Sequence, residues 1–221
     1  MGLALSGRFE RVIGVDVSER ALKDGAFRLQ QDVESHRRRN NILEGLPLEF
    51  RLADGLHGLV KGEADAICIA GMGVHSMLNI VSSVRGNSEK GLLDEIGVSQ
   101  LFLQPTNSRP KSQFLLYKTL FQMGWIATDE RIEFLSSRWY ISSHFERISA
   151  VPVDQHSSFI LPGTFLARNT TDSLHDVERQ AFQEYVRHHI VWLENDRRVS
   201  GSLHDCEEDW LHQFAVYKTH A

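Results

Sequence analysis

The chain has only two cysteines, Cys68 and Cys206, and they form no CxxC pair. That scarcity excludes a disulfide-stapled scaffold and a cysteine-built zinc site. Cys68 sits in an apolar run and reads as a reduced core residue of an intracellular protein. No apolar run approaches the roughly 20 residues of a membrane span, and no signal peptide is visible at Met1, so a cytoplasmic location is expected. The 11 histidines are scattered. HExxH is absent, His188 and His189 are neighbours that point apart on a helix, and no metal site is expected. GxSxG and Walker sequences are missing too, as are internal repeats and low-complexity tracts. The formal charge of −5 argues against wrapping nucleic acid over a whole face, although a local patch remains compatible with it. The one dense basic cluster, His36-Arg37-Arg38-Arg39, reads as a solvated helix end, with an RNA contact as the alternative.

What is present is a repeated strand–helix alternation. Arg11 to Asp16 reads as a short buried strand ending on an acid, and Ser18 as the N-cap of a helix running to about Asn40. Pro47 to Asp54 holds a second strand, with Leu48, Phe50 and Leu52 alternating. Asp65 to Ala70 is a third, followed by Gly71-Met72-Gly73 and a helix through about Val84. Arg85 to Gly97 is polar and glycine-bearing, a loop or frayed helix. Gln100 to Gln104 is a fourth strand, stopped by Pro105, and Lys111 to Met123 is an amphipathic helix closed by Gly124. Its Phe114, Leu115, Tyr117, Leu120 and Phe121 are candidates for the core. Trp125 to Phe134 and Trp139 to Ile148 alternate with period two across Ser136-Ser137, which predicts an antiparallel hairpin. The order implies an α/β fold with a mostly parallel sheet and an antiparallel edge. Residues 1–150 are assigned to that domain. Residues 151–221 are assigned to a small helical appendage with one long helix from Thr171 to about Val199, and a tail holding Trp210 and Phe214.

In open α/β sheets ligands bind beyond the carboxyl ends of the parallel strands, and four such ends carry suggestive residues. Asp16 follows the first strand, where a carboxylate can accept both hydroxyls of a ribose. Asp54-Gly55 follows the second, where an acid can accept an adenine amino group. Ala70-Gly71-Met72 follows the third, where small residues let a ligand approach the backbone near a helix N-terminus. Gln104-Pro105-Thr106-Asn107 follows the fourth and offers amides to a planar base edge. Singly, each has a bland counterpart: an N-cap, a tight turn, a satisfied loop. Their arrival at equivalent ends of four successive strands favours a nucleoside cofactor.

These residues also carry a family resemblance. Ile69-Ala70-Gly71-Met72-Gly73 resembles the IAGMGG of the bacterial tRNA (adenine-N1) methyltransferases, and Leu103-Gln104-Pro105-Thr106-Asn107 is similar to their LQP-N segment. Asp16, Asp54-Gly55 and Met123-Gly124-Trp125 extend the likeness to the family's catalytic domain, which covers Val12 to about Phe145, and Leu161 to Leu166 ahead of a long helix resembles the family's passage into its helical C-terminal domain. The resemblance implies a Rossmann-like fold of the class I methyltransferase type, S-adenosyl-L-methionine as cofactor and tRNA as partner. It implies that Asp16 binds ribose, Asp54 and Gly55 lie at the adenine, and Ala70, Gly71 and Met72 line the cofactor cleft. Gln104 and Asn107 would then face the target base. Two departures stand out. Val74 replaces the final glycine of IAGMGG. Met1 to Gly7 looks like the tail of the helix that follows the family's D-x-G-x-D-H loop, so the first, central strand is expected to be missing. The alternatives are a truncated, non-catalytic RNA- or protein-binding module, and a nicotinamide-dependent oxidoreductase with the same Asp16.

Overall fold

The computed structural model of the chain describes residues 8–25, 48–148 and 176–215. The predicted basic cluster at His36 to Arg39, the far end of its helix, Met1 to Gly7 and the Leu161 to Leu166 segment lie outside them. The chain divides into two compact units, Met1–Glu63 with Ile80–Ile96, and Ala64–Asn79 with Gly97–Ala221.

In the first unit β1 (Val12–Asp16) pairs in parallel with β2 (Leu48–Leu52). Ser18 caps the helical residues 19–25 as expected, its Oγ accepting the Ala21 N–H at 3.2 Å. Gly14 lies opposite Phe50 in the register, and a Cβ on it would come within 2.8 Å of the Phe50 ring. A side chain there would have to displace the ring. After β2 comes a 3-10 turn (Gly55–Gly58) that buries Leu56. The Arg85 to Gly97 stretch is more ordered than its polarity suggested. A Val84–Gly91 bridge leads into α2 (Leu92–Ile96), which buries Leu92, Leu93 and Ile96. Three apolar residues on one turn outweigh the polar flanks.

The second unit holds a four-stranded sheet of order β3-β4-β6-β5. β3 (Ala66–Met72) and β4 (Gln100–Pro105) are parallel; β5 (Trp125–Leu135) and β6 (Arg138–Arg147) add the antiparallel part. The predicted hairpin is therefore present, turning at Ser136 and Ser137, both at positive φ (49° and 63°). Period-two alternation decides which side chains are covered: Ile67 and Ile69 are buried, whereas Cys68 between them is a free thiol on the exposed side. The expectation of a core cysteine fails for that reason. α1 (Val74–Val81) follows β3, burying Val74, Met77, Leu78 and Val81.

α3 (Pro110–Gln122) lies between β4 and β5 in sequence. It buries Leu116, Tyr117 and Leu120, but Phe114, Leu115 and Phe121 are only half-buried, and the polar Gln113 is buried instead. The Tyr117 hydroxyl donates to Glu130 Oε1 and lies 2.5 Å from Ser143 Oγ, a buried network joining α3 to the hairpin. Burial, and then the adjacent Glu130 carboxylate, push that phenol well above its usual range.

The long C-terminal helix is present as α4 (Asp176–Ser200). The tail forms a second helix, α5 (Asp205–Gln213), with acidic residues Asp205, Glu207 and Glu208 in its first turn. Both helices belong to the unit with the four-stranded sheet. Phe182, Tyr185, Val186, Ile190, Leu193, Trp210, Leu211 and Phe214 form one buried cluster with Ile132, Trp139 and Ile141 of the hairpin. No helix among the described residues is long and apolar enough to cross a membrane.

Candidate functional site

The candidate residues fall into two sets, one in each unit. In the first, β1 and β2 end side by side: Asp16 pairs with Leu52, and the Ala53 N–H donates to the Asp16 carbonyl at 3.0 Å. Asp16 and Asp54 therefore stand at the same end of one parallel pair. Asp16 Oδ1 accepts the Ser18 N–H at 2.7 Å, which fixes the carboxylate at the helix start and leaves its second oxygen without a bond among the described residues. Asp54 is exposed, and its side chain makes no cap bond to the 3-10 turn it precedes. Gly55 has φ +48°, and a Cβ there would come within 3.2 Å of Ile80, so this position excludes a side chain twice over.

In the second unit, the carboxyl ends of β3 and β4 are bonded into one surface. Ala70 pairs with Gln104 and Met72 with Pro105, so Gly71 is skipped by the register. Its φ of +73° turns its amide out of the ladder, and that N–H donates to Gln104 Oε1 at 3.2 Å. The Thr106 N–H donates to the Met72 carbonyl at 2.9 Å. The structure thus brings Ala70, Gly71, Met72 and Gln104 together. Asn107, three residues beyond Gln104, is exposed; its Oδ1 accepts the Arg109 N–H at 2.8 Å and its carbonyl accepts from Gln113 Nε2. Ala70, Gly71 and Met72 are exposed as well, and a Cβ on Gly71 or Gly73 would meet nothing within 4 Å among the described residues. This is an open ledge, not a packed turn.

Local sequence patterns did not point to Arg109. Its guanidinium donates to Glu207 at 2.6 Å and to Asp196 at 2.9 Å, and lies 4.5 Å above the Trp192 ring. The Glu207 bonds hold its charge more firmly, against the cost of burial. Burial pushes the Glu207 carboxyl up, but the Arg109 bonds outweigh it and leave the group below its ordinary range. Ser108, one residue earlier, receives the Tyr185 hydroxyl on its carbonyl at 2.9 Å. Nothing within a local window links residues so far apart in the chain.

Residues 1–141 match the family model described as a methyltransferase domain. No curated protein matches in sequence. Among solved structures, a putative tRNA (m1A22) methyltransferase of Streptococcus pneumoniae is 19% identical, with a TM-score of 0.63 over 99% of this chain and 85% of that one. The M1A22 tRNA methyltransferase of B. subtilis is 18% identical (TM-score 0.58; 97% and 81% covered). A relative from M. capricolum, solved with S-adenosyl-homocysteine, is 12% identical (TM-score 0.60; 99% and 83% covered). At these identities the likeness establishes the Rossmann-like fold with its antiparallel hairpin. The family match spans more than half of the sequence, and the chain belongs to the methyltransferase-domain family.

Proposed function

We propose that the chain is an S-adenosylmethionine-dependent methyltransferase acting on N1 of an adenine in tRNA. The observation that carries this reading is the bonded junction of the IAGMG and LQP-N segments at the ends of β3 and β4, within a methyltransferase-family chain. It is supported by similar structures that include the M1A22 tRNA methyltransferase of B. subtilis, a putative tRNA (m1A22) methyltransferase of Streptococcus pneumoniae solved with S-adenosyl-L-methionine, and a relative from M. capricolum solved with S-adenosyl-homocysteine.

Each unit, taken by itself, offers groups of the kind the cofactor needs. The ledge at Gly71 and Gly73 has room where side chains would stand. Asp16 offers a carboxylate oxygen to ribose hydroxyls and Asp54 an exposed carboxylate to the adenine amine, with Gly55 supplying the left-handed turn against Ile80. When bound, the cofactor supplies a methyl group on a sulfonium sulfur. The chain's own residues have to orient the acceptor, because adenine N1 already carries an in-plane lone pair and needs no strong base. Gly71 holds Gln104 through its oxygen and Arg109 holds Asn107 through its oxygen, so each amide is left presenting its NH2. Two oriented amides can grip a planar base by its edge, and the oxygens' second lone pairs can accept from its amine. A base inside folded tRNA must be unstacked to reach them.

The test is isothermal titration of the folded chain with S-adenosyl-homocysteine, followed by methyl transfer from labelled S-adenosylmethionine to tRNA. Micromolar binding and label at N1-methyladenosine are expected. A folded chain that binds nicotinamide cofactors instead, or transfers no label, overturns the reading. Asp16→Ala should weaken S-adenosyl-homocysteine by about 1–3 kcal/mol, the loss of a charge-assisted bond; unchanged affinity would remove Asp16 from the cofactor.

A further inference from the structure

We propose that helices α4 and α5 position the loop following β4, and that Arg109 is the positioning residue that transmits their grip to Asn107. The inference rests on the methyltransferase reading above and adds to it a role for the C-terminal helices inside the reaction.

The loop runs from Thr106 to Arg109. On the β4 side it is tied at one residue, Thr106, whose N–H and Oγ1 both donate to the Met72 carbonyl, at 2.9 and 3.4 Å. Beyond Asn107, every further side-chain tie among the described residues comes from the helices or from α3. Tyr185 on α4 donates to the Ser108 carbonyl at 2.9 Å. His189, one turn on, has Nε2 3.5 Å from Ser108 Oγ, while its Nδ1 is 3.0 Å from the Tyr185 carbonyl. A carbonyl only accepts, so Nδ1 bears the proton and Nε2 is left to accept from the serine. Arg109 then reaches Asp196 on α4 and Glu207 on α5 and stacks over Trp192. Two consecutive residues beside Asn107 are therefore held from above.

Holding the helices in place does not require these bonds. α4 and α5 already share an aromatic core with the hairpin, in which Phe182, Tyr185 and Trp210 are almost wholly buried. Nor does helix stability explain Arg109. It occupies the N-cap of α3, directly before Pro110, and its side chain makes no cap bond. That position favours Ser, Thr, Asp or Asn, and a helix N-terminus disfavours a cation. An arginine there is locally unfavourable, and what it gains is a bidentate hold on a buried carboxylate that a capping residue would not make. The same residue's N–H holds Asn107 Oδ1 at 2.8 Å. Its side chain is anchored to the helices and its backbone to Asn107, so shifting the guanidinium shifts the amide that faces the base.

The experiment is steady-state methylation of tRNA by the full chain with Arg109→Lys and with the double variant Arg109→Met/Glu207→Gln. The double variant leaves no buried carboxylate alone and so keeps the fold testable. We expect kcat to fall by about 10²-fold in the double variant, the order lost when a reacting group is misplaced by about an ångström. KM for tRNA and affinity for S-adenosyl-homocysteine should stay within about twofold, and Arg109→Lys should recover part of kcat because one ion pair survives. Unchanged kcat, or loss of kcat together with cofactor affinity, overturns the positioning role. Amide hydrogen exchange on the unliganded protein decides the same question without activity. Faster exchange at 106–109 with unchanged protection in α4 supports the proposal, and unaltered exchange at the loop sinks it even if the wild-type chain methylates nothing. A wild-type chain that transfers no methyl group, with the loop still loosened in the variant, would refute the methyltransferase reading and leave the mechanical link standing.

Discussion

β3 and β4 each alternate buried and exposed side chains, whereas β1 and β2 bury none of theirs fully. The two units differ in what they bury and in what they pair at the surface. Around the four-stranded sheet, Trp125, Phe145, Phe182, Trp210 and Phe214 are among the largest fully buried side chains. In the β1–β2 unit the conspicuous interactions are ionic: Arg51 bonds Glu49, Glu63 and the Gly58 carbonyl, and Arg11 pairs with Glu49 and Glu63. Apolar burial is worth roughly 25 cal/mol per Å², while exposed ion pairs contribute little and are screened by salt. One unit therefore carries a large aromatic core, and the other a smaller aliphatic set of buried residues, Leu56, Leu59, Val81, Leu92, Leu93 and Ile96, beneath its ion pairs.

The comparison is broken most forcefully at Trp210, which packs on Tyr185 and Phe214. Trp210→Ala should cost about 3–5 kcal/mol in urea unfolding followed by circular dichroism. A cost under about 1 kcal/mol would mean that α5 is not part of the core. A second test uses acid. Burial first of all, against the Tyr185 carbonyl, holds His189 down to about 4 from an ordinary 6.5. The unfolded chain then takes up the proton first. Stability should be full above about pH 6.5 and fall towards pH 4, by at most about 1.4 kcal/mol per pH unit. His189→Gln should flatten that slope, and an equally steep slope in the variant would locate the titration elsewhere. The smallest effect is expected in the first unit. Hydrogen bonds from Arg51 hold Glu49 and Glu63 at about 2, so their contribution is present above about pH 4.5 and lost as pH falls towards 2. Arg51→Met should speed amide exchange in β1 and β2 and leave the urea transition of the other unit in place. A shifted transition there would show the two to be less separate than their interiors suggest.

Much of this was legible locally. Period-two alternation disclosed the hairpin from Trp125 to Arg147, and the strand ends at Asp16, Asp54, Ala70 and Gln104 were marked by residues unusual for buried strands. The helix after Pro105 was found, but its phase was misjudged. Leu116 and Gln113 face inward because Tyr117 must reach Glu130 and Gln113 must reach the Asn107 carbonyl. α5 was hidden by its polarity: four acids in nine residues obscure the Trp210, Leu211 and Phe214 stripe. Arg109 was invisible for a different reason. Its carboxylate partners lie 87 and 98 residues downstream, and pattern reading has no reach at that range.

The hairpin turn has a bearing on how the chain folds. Two-residue hairpins of this kind need left-handed backbone at both central positions, which favours Asn-Gly or Gly-Gly. Here both are serines, and left-handed backbone is unfavourable for a residue with a Cβ. Such a turn cannot serve as a local nucleus. β6 also pairs with β4, and β5 lies against α4, so the two strands gain their order from partners distant in sequence. Closing those long loops comes at an entropic cost before any contact repays it. β4 precedes the hairpin in the chain and is there for β6 to pair with, whereas the apolar side of β5 is covered only once α4 has been made.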